Sequence, residues 1–240
     1  MENRFISSRR QFVKVSTVLG LGLAFPHEYL RAEQKDAGKT GPVLSPDEAL
    51  KELMEGNERF VKGQTKNPRR SPQEFSALAA AQYPEAIIVS CADSRVAPEL
   101  LFDVGVGDIF VVRIAGNVIG GTGVTVKGSI EYAVAELNVP LIVVLGHSGC
   151  GAVKSAMKHL EEKDSLPGAI NGLVELVKPA VHKSKGMPGD PLENAIVANV
   201  QLGVEKLNRL EPIIAPKVKD GKLKVVGGVY DLRNGMVKLL

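Results

Sequence analysis

Two short clusters carry the residues of this chain best suited to chemistry: Cys91-Ala92-Asp93-Ser94-Arg95 and His147-Ser148-Gly149-Cys150. Between them they hold both cysteines and one of the four histidines. Two thiolates and an imidazole supply three ligands for zinc, with a fourth position left for water or a carboxylate. Catalytic zinc is commonly held this way, by three protein ligands and one open site. One zinc per chain is therefore the expected cofactor. The same cysteines could instead close a disulfide or sit as free core thiols, and a lone histidine is often structural.

Asp93 and Arg95 flank the first cysteine's side of this cluster. A guanidinium is a planar fork of donors that can grip a carboxylate at two points and keep it ionised. Zinc lowers the pKa of bound water, so hydroxide exists near neutral pH. Two thiolates cancel the formal charge of the metal and leave it a weaker acid than three imidazoles would. An activity rising toward alkaline pH follows. The alternative for Asp93 and Arg95 is a structural ion pair in a loop.

The elements around the clusters explain how they could meet. Ala86–Ser90 and Leu141–Gly146 are short apolar runs of buried parallel-strand character, and they end at Cys91 and His147. Open α/β sheets place their sites at the carboxyl ends of such strands. Ile109–Ile114 reads as a further strand, Leu223–Tyr230 as a late one, and Asn234-Gly235 as a turn into an edge strand over 236–240. Ser45-Pro46-Asp47-Glu48 has the pattern of a capped helix start, with Ala49, Leu50, Leu53 and Phe60 on its apolar face. Helices are expected over 122–137, 151–160, 169–181 and 190–210, with a short turn over 98–102. The helix after Cys150 would aim its first amides at the metal and favour an anion there. His159 and His182 are expected on solvent faces. The glycine-rich segment 116–121 lacks the lysine and spacing of a phosphate loop.

The stretches CADSRVAPELLFDVGVGDIFVVRIAGNV and GSIEYAVAELNVPLIVVLGHSGCGAVKSA closely resemble β-class carbonic anhydrases. The resemblance covers 45–240 and is strongest over 82–156. It implies a doubly wound α/β sheet of four parallel strands plus an antiparallel edge strand, with helices on both faces. It also implies a first helix that wraps a partner subunit, although packing on the chain's own sheet is the plainer alternative. Cys91, His147 and Cys150 would bind zinc, Asp93 and Arg95 would form the adjoining dyad, and Asp93 could swing onto the metal in a closed state. Gln82, Phe110, Ala115 and Tyr132 match the substrate pocket, with Tyr132 coming from the neighbouring subunit. Gly151 lets backbone approach the metal-bound group.

The implied reaction is reversible hydration of CO2 to bicarbonate and a proton by zinc-bound hydroxide. The implied assembly is a homodimer or higher even-numbered oligomer. A hydrolase of carbon disulfide or carbonyl sulfide on the same scaffold, and a non-catalytic zinc or bicarbonate module, are the alternatives. In one subgroup a bicarbonate pocket built on tryptophan, arginine and tyrosine locks Asp onto zinc. This chain has no tryptophan; Ile88 stands at that position and Arg113 at the arginine's. Asp93 is therefore expected to pair with Arg95 at neutral pH.

At 240 residues the chain suits one sizeable domain with short extensions. Its formal net charge of +3 is no nucleic-acid footprint. The excess lies in residues 1–32, where Arg4, Arg9, Arg10, Lys14 and Arg31 outnumber Glu2 and Glu28. Ser8-Arg9-Arg10-Gln11-Phe12-Val13-Lys14 resembles a twin-arginine export motif, and Val15–Phe25 is apolar but too short to span a bilayer. Residues 1–32 thus read as an export leader, 33–44 as a linker, and the chain as periplasmic, touching the membrane only through that leader.

Overall fold

The computed structural model describes residues 44–120 and 124–240. The expected export leader and nearly all of the expected linker lie outside the described residues. The sheet has five strands: β1 (Ala86–Ser90), β2 (Ile109–Arg113), β3 (Leu141–His147), β4 (Lys224–Tyr230) and β5 (Val237–Leu239). Their order is β2-β1-β3-β4-β5, parallel throughout except for β5. This is the expected sheet. Every residue of β1 and β3 is buried, as an apolar run covered on both faces requires.

Eight α-helices accompany the sheet among the described residues: α1 (Pro46–Val61), α2 (Pro72–Phe75), α3 (Pro98–Leu101), α4 (Val124–Ala135), α5 (Gly151–Glu161), α6 (Ala169–Ser184), α7 (Pro191–Asn208) and α8 (Ile214–Lys219). Alternation along the strands sorts them into two layers. Ile87, Val89, Ile142 and Val144 face Ile130 and Val134 of α4, Val200 and Leu207 of α7, and Ile214 of α8. Ala86, Ile88, Leu141, Val143 and Leu145 face α1 and α3 through Ala49, Leu53 and Leu101. Each fully buried Ile, Leu or Val contributes about 1.5–3 kcal/mol relative to exposure.

The start of α1 is the capping box that the sequence indicates. The Ser45 hydroxyl accepts from the Glu48 amide at 3.3 Å, and the Glu48 carboxylate accepts from the Ser45 amide at 2.8 Å. The buried face of this helix, with Ala49, Leu53 and Asn57, packs on the chain's own sheet and C-terminal turn. Asn57 is the pivot of that contact. Its amide donates to the carbonyls of Leu101 and Gly235, both at 2.9 Å, and its oxygen accepts from the Val237 amide at 2.8 Å.

Candidate metal centre

Strand register brings the two clusters together. Ser90 at the end of β1 pairs with Leu145 of β3. Cys91 therefore emerges level with Gly146, one strand over and about 5 Å away, the usual spacing of neighbouring strands. His147 is the last residue of β3. Gly149, at φ 64°, turns the chain back so that Cys150 caps α5. The Cys91 and Cys150 sulfurs and a His147 ring nitrogen lie within 4.8 Å of one another, and all three residues are buried. No disulfide joins the cysteines.

The imidazole is aimed by its neighbour. His147 Nδ1 lies 3.0 Å from the Ser148 carbonyl, which can only accept, so Nδ1 carries the proton. The lone pair is then on Nε2. That nitrogen is fully buried and has no hydrogen-bond partner. A buried, unsatisfied acceptor beside two sulfurs costs folding energy unless a cation fills the gap. These three residues fit a thiolate- and imidazole-binding metal ion, and zinc suits that donor set.

The sulfurs are unequal without metal. Donation from the Cys150 thiol above all, with the Gly116 and Asp93 amides, draws Cys91 down to about 4. Cys150 moves up instead, because the Cys91 sulfur holds its proton and burial penalises its charge. For His147, burial opposes charge, but the nearby Cys91 sulfur outweighs it and raises the pKa. The cluster thus stores one thiolate ready to receive a cation.

Asp93 and Arg95 form the expected fork. Arg95 Nε and Nη2 donate to the two Asp93 oxygens at 2.9 and 2.7 Å, and the Arg95 amide adds a third bond at 3.0 Å. Arg95 holds the carboxyl well below the usual carboxylate range. The Asp93 carboxylate also stands 3.8 Å from His147 Nε2, at the edge of the metal position.

Ala115 and Gly151 sit beside the ligands, in the turn after β2 and at the first position of α5. Gln82, Phe110 and Tyr132 do not. Gln82 is exposed and precedes β1, whereas Cys91 follows it; the five-residue strand alone separates them by about 17 Å. Phe110 pairs with Ile87 in the first half of β1, and Tyr132 tilts onto Phe110 with ring centroids 6.4 Å apart. Phe110 and Tyr132 therefore form a pair beside the first half of β1, and Gln82 precedes that strand, away from the chain's own metal site.

Two supports were not legible in the sequence. Gly116, at φ 74°, donates its amide to the Cys91 sulfur at 3.2 Å, and Asn199 of α7 holds the Gly116 carbonyl at 2.8 Å. An added Cβ at Gly116 would lie 3.1 Å from that of Ala152. Arg113, matched above to a bicarbonate pocket, instead donates to the backbone carbonyls of Asp93 at 2.7 Å and Cys91 at 3.3 Å. His159, expected in solvent, keeps only 13% of its side chain exposed and bonds Asp164 at 2.6 Å.

The family model described as carbonic anhydrase matches residues 86–237, which include all three candidate ligands. A carbonic anhydrase 2 of Mycobacterium tuberculosis is 43% identical over 198 residues, covering 82% of this chain and 94% of that protein. This chain belongs to the carbonic anhydrase family. A Mycolicibacterium smegmatis carbonic anhydrase is 41% identical, again over 82% of this chain and 95% of the relative. Among solved structures, a Coccomyxa β-carbonic anhydrase in complex with acetazolamide superposes with a TM-score of 0.62 at 29% identity, covering 80% of this chain and 86% of that one. A tetrameric β-carbonic anhydrase of Sordaria macrospora gives 0.63 at 28% identity, covering 71% and 87%. The chain is thus an enzyme of the β class, and its sheet and helices are those of that class.

Proposed function

We propose that this enzyme hydrates CO2 to bicarbonate with one zinc held by Cys91, His147 and Cys150. The observation that carries the metal is the buried, unpartnered Nε2 of His147 facing two sulfurs. Zinc, when bound, supplies a nucleophilic hydroxide at near-neutral pH. The protein's part is orientation and charge. Asp93, kept ionised by Arg95, accepts a hydrogen bond from the attacking oxygen and turns its lone pair toward the carbon. As an ion it cannot donate, so only a protonated oxygen is held there. Arg113 fixes the Cys91–Asp93 backbone beneath it. The first amides of α5, from Ala152 and Val153, face the Cys150 sulfur and favour its thiolate.

Asp93 stays with Arg95 at neutral pH in this reading. Ile88 is fully buried and offers no donor for a second bicarbonate, and Arg113 is occupied by main-chain carbonyls. Carbon disulfide and carbonyl sulfide are the competing substrates. CO2 is expected to be turned over at least about tenfold faster than either, a margin of about 1.4 kcal/mol in barrier. Parallel rate measurements on the three gases check this, and preference for a sulfur analogue would replace CO2 as substrate.

A second copy completes the pocket in this reading. Gln82 is exposed, Tyr132 is half-exposed, and β2 is an open, half-buried edge. A dimer across that edge would carry Gln82, Phe110 and Tyr132 to the partner's metal. Light scattering at assay concentration should show no fully active monomer. The N-terminal arginine pair directs export, and replacing Arg9 and Arg10 by lysine is expected to retain the chain in the cytoplasmic fraction, because a receptor reads the pair. Undiminished periplasmic yield would make it an ordinary basic arm.

A further inference from the structure

A second Asp-x-Arg pair mirrors the first across β3. Asp231 follows β4 as Asp93 follows β1, and these strands flank β3 and its terminal His147. Arg233 grips Asp231 as Arg95 grips Asp93: amide and Nε to one oxygen at 2.9 and 3.0 Å, Nη2 to the other at 2.9 Å. The first pair borders the metal. The second meets Ser148, the residue whose carbonyl aims His147. The Ser148 hydroxyl accepts from the Leu232 amide at 3.0 Å, and the Ser148 amide donates to the Tyr230 carbonyl at 2.9 Å. Arg233 first, and the Ser148 hydroxyl among lesser causes, keep Asp231 ionised. The turn itself is pinned: the Asp231 amide donates to Met236, and Asn57 holds the Gly235 carbonyl and the Val237 amide.

We propose that Ser148 and Asp231 are positioning residues for the metal ligand His147, through which the β4–β5 turn fixes the carbonyl that orients the imidazole. The proposal rests on the zinc site above. A merely structural latch would stabilise the fold with or without metal. A positioning latch governs how long the metal stays, because partners that orient a ligating histidine typically set about 10–100-fold in affinity.

The test is the rate at which zinc leaves the purified full-length enzyme to excess chelator, followed beside the melting temperature of the metal-stripped protein. Ser148→Ala is expected to release zinc at least about tenfold faster, and Ser148→Thr, which keeps the hydroxyl, to restore slow release. Asp231→Asn should accelerate release as well, and the double variant should gain less than the product of the two, since both act through one link. Wild-type release in Ser148→Ala, or a lowered metal-free melting temperature with release unchanged, would overturn the proposal while leaving the zinc site standing. A wild-type chain that binds no zinc would overturn the site and the proposal together.

Discussion

Cys150→Ala is expected to abolish stoichiometric zinc binding and reduce CO2 hydration to the uncatalysed background. The site has three protein ligands, and removal of one leaves a buried imidazole and a single sulfur, too few donors to compete with hydrated zinc. Cys150 is also the thiol that draws Cys91 down to about 4. Without it Cys91 moves back toward its ordinary value, so the cluster loses part of what holds its thiolate as well as a ligand. Alanine fits the space, because the neighbours Val153, Ala156 and Val177 are apolar. The fold should survive, with unchanged far-ultraviolet circular dichroism. Elemental analysis for zinc checks the result, and full zinc occupancy with normal turnover would remove Cys150 from the ligand set.

Asp93→Asn is the complementary case: turnover falls by about 100-fold or more while zinc remains bound, the usual cost of losing a positioned proton-handling group. An amide presents an N–H where the carboxylate only accepts, and it no longer pairs two-fold with Arg95. The sign of the pH effect follows from Arg95, which holds the Asp93 carboxyl below the usual range. That group is ionised throughout the neutral and alkaline region, so it cannot produce a rise in rate there. Both wild type and Asp93→Asn should therefore gain activity toward alkaline pH along the same curve. Rate profiles over pH 6–9 with parallel zinc analysis decide it; loss of zinc in the variant would make Asp93 a ligand instead.

The parts of this site that lie within a few residues of one another were legible in the sequence. Cys91, Asp93 and Arg95 share one strand end, and His147 and Cys150 share another; the apolar runs before them mark both strands. The capped starts of α1 and α7 were equally local, with Asp190 accepting from the Glu193 amide at 2.9 Å. The short α2 and α8 escaped notice because four to six residues carry little periodicity, and Pro216 interrupts the pattern of α8. Asn57, Asn199 and the Ser148–Leu232 contact bridge distant parts of the chain, and no local pattern announces them. For Gln82, Phe110 and Tyr132 only the resemblance implied a pocket, and the direction of β1 and β2 decides that one chain cannot bring them to its own metal.

The most direct measurement is stopped-flow CO2 hydration by the same preparation before chelation, after metal stripping and after addition of one equivalent of zinc per chain. Activity that disappears with the metal and returns in full at one equivalent is expected. Hydration that persists in metal-free protein, or zinc-loaded protein that leaves CO2 at its uncatalysed rate, would contradict a zinc carbonic anhydrase built on Cys91, His147 and Cys150.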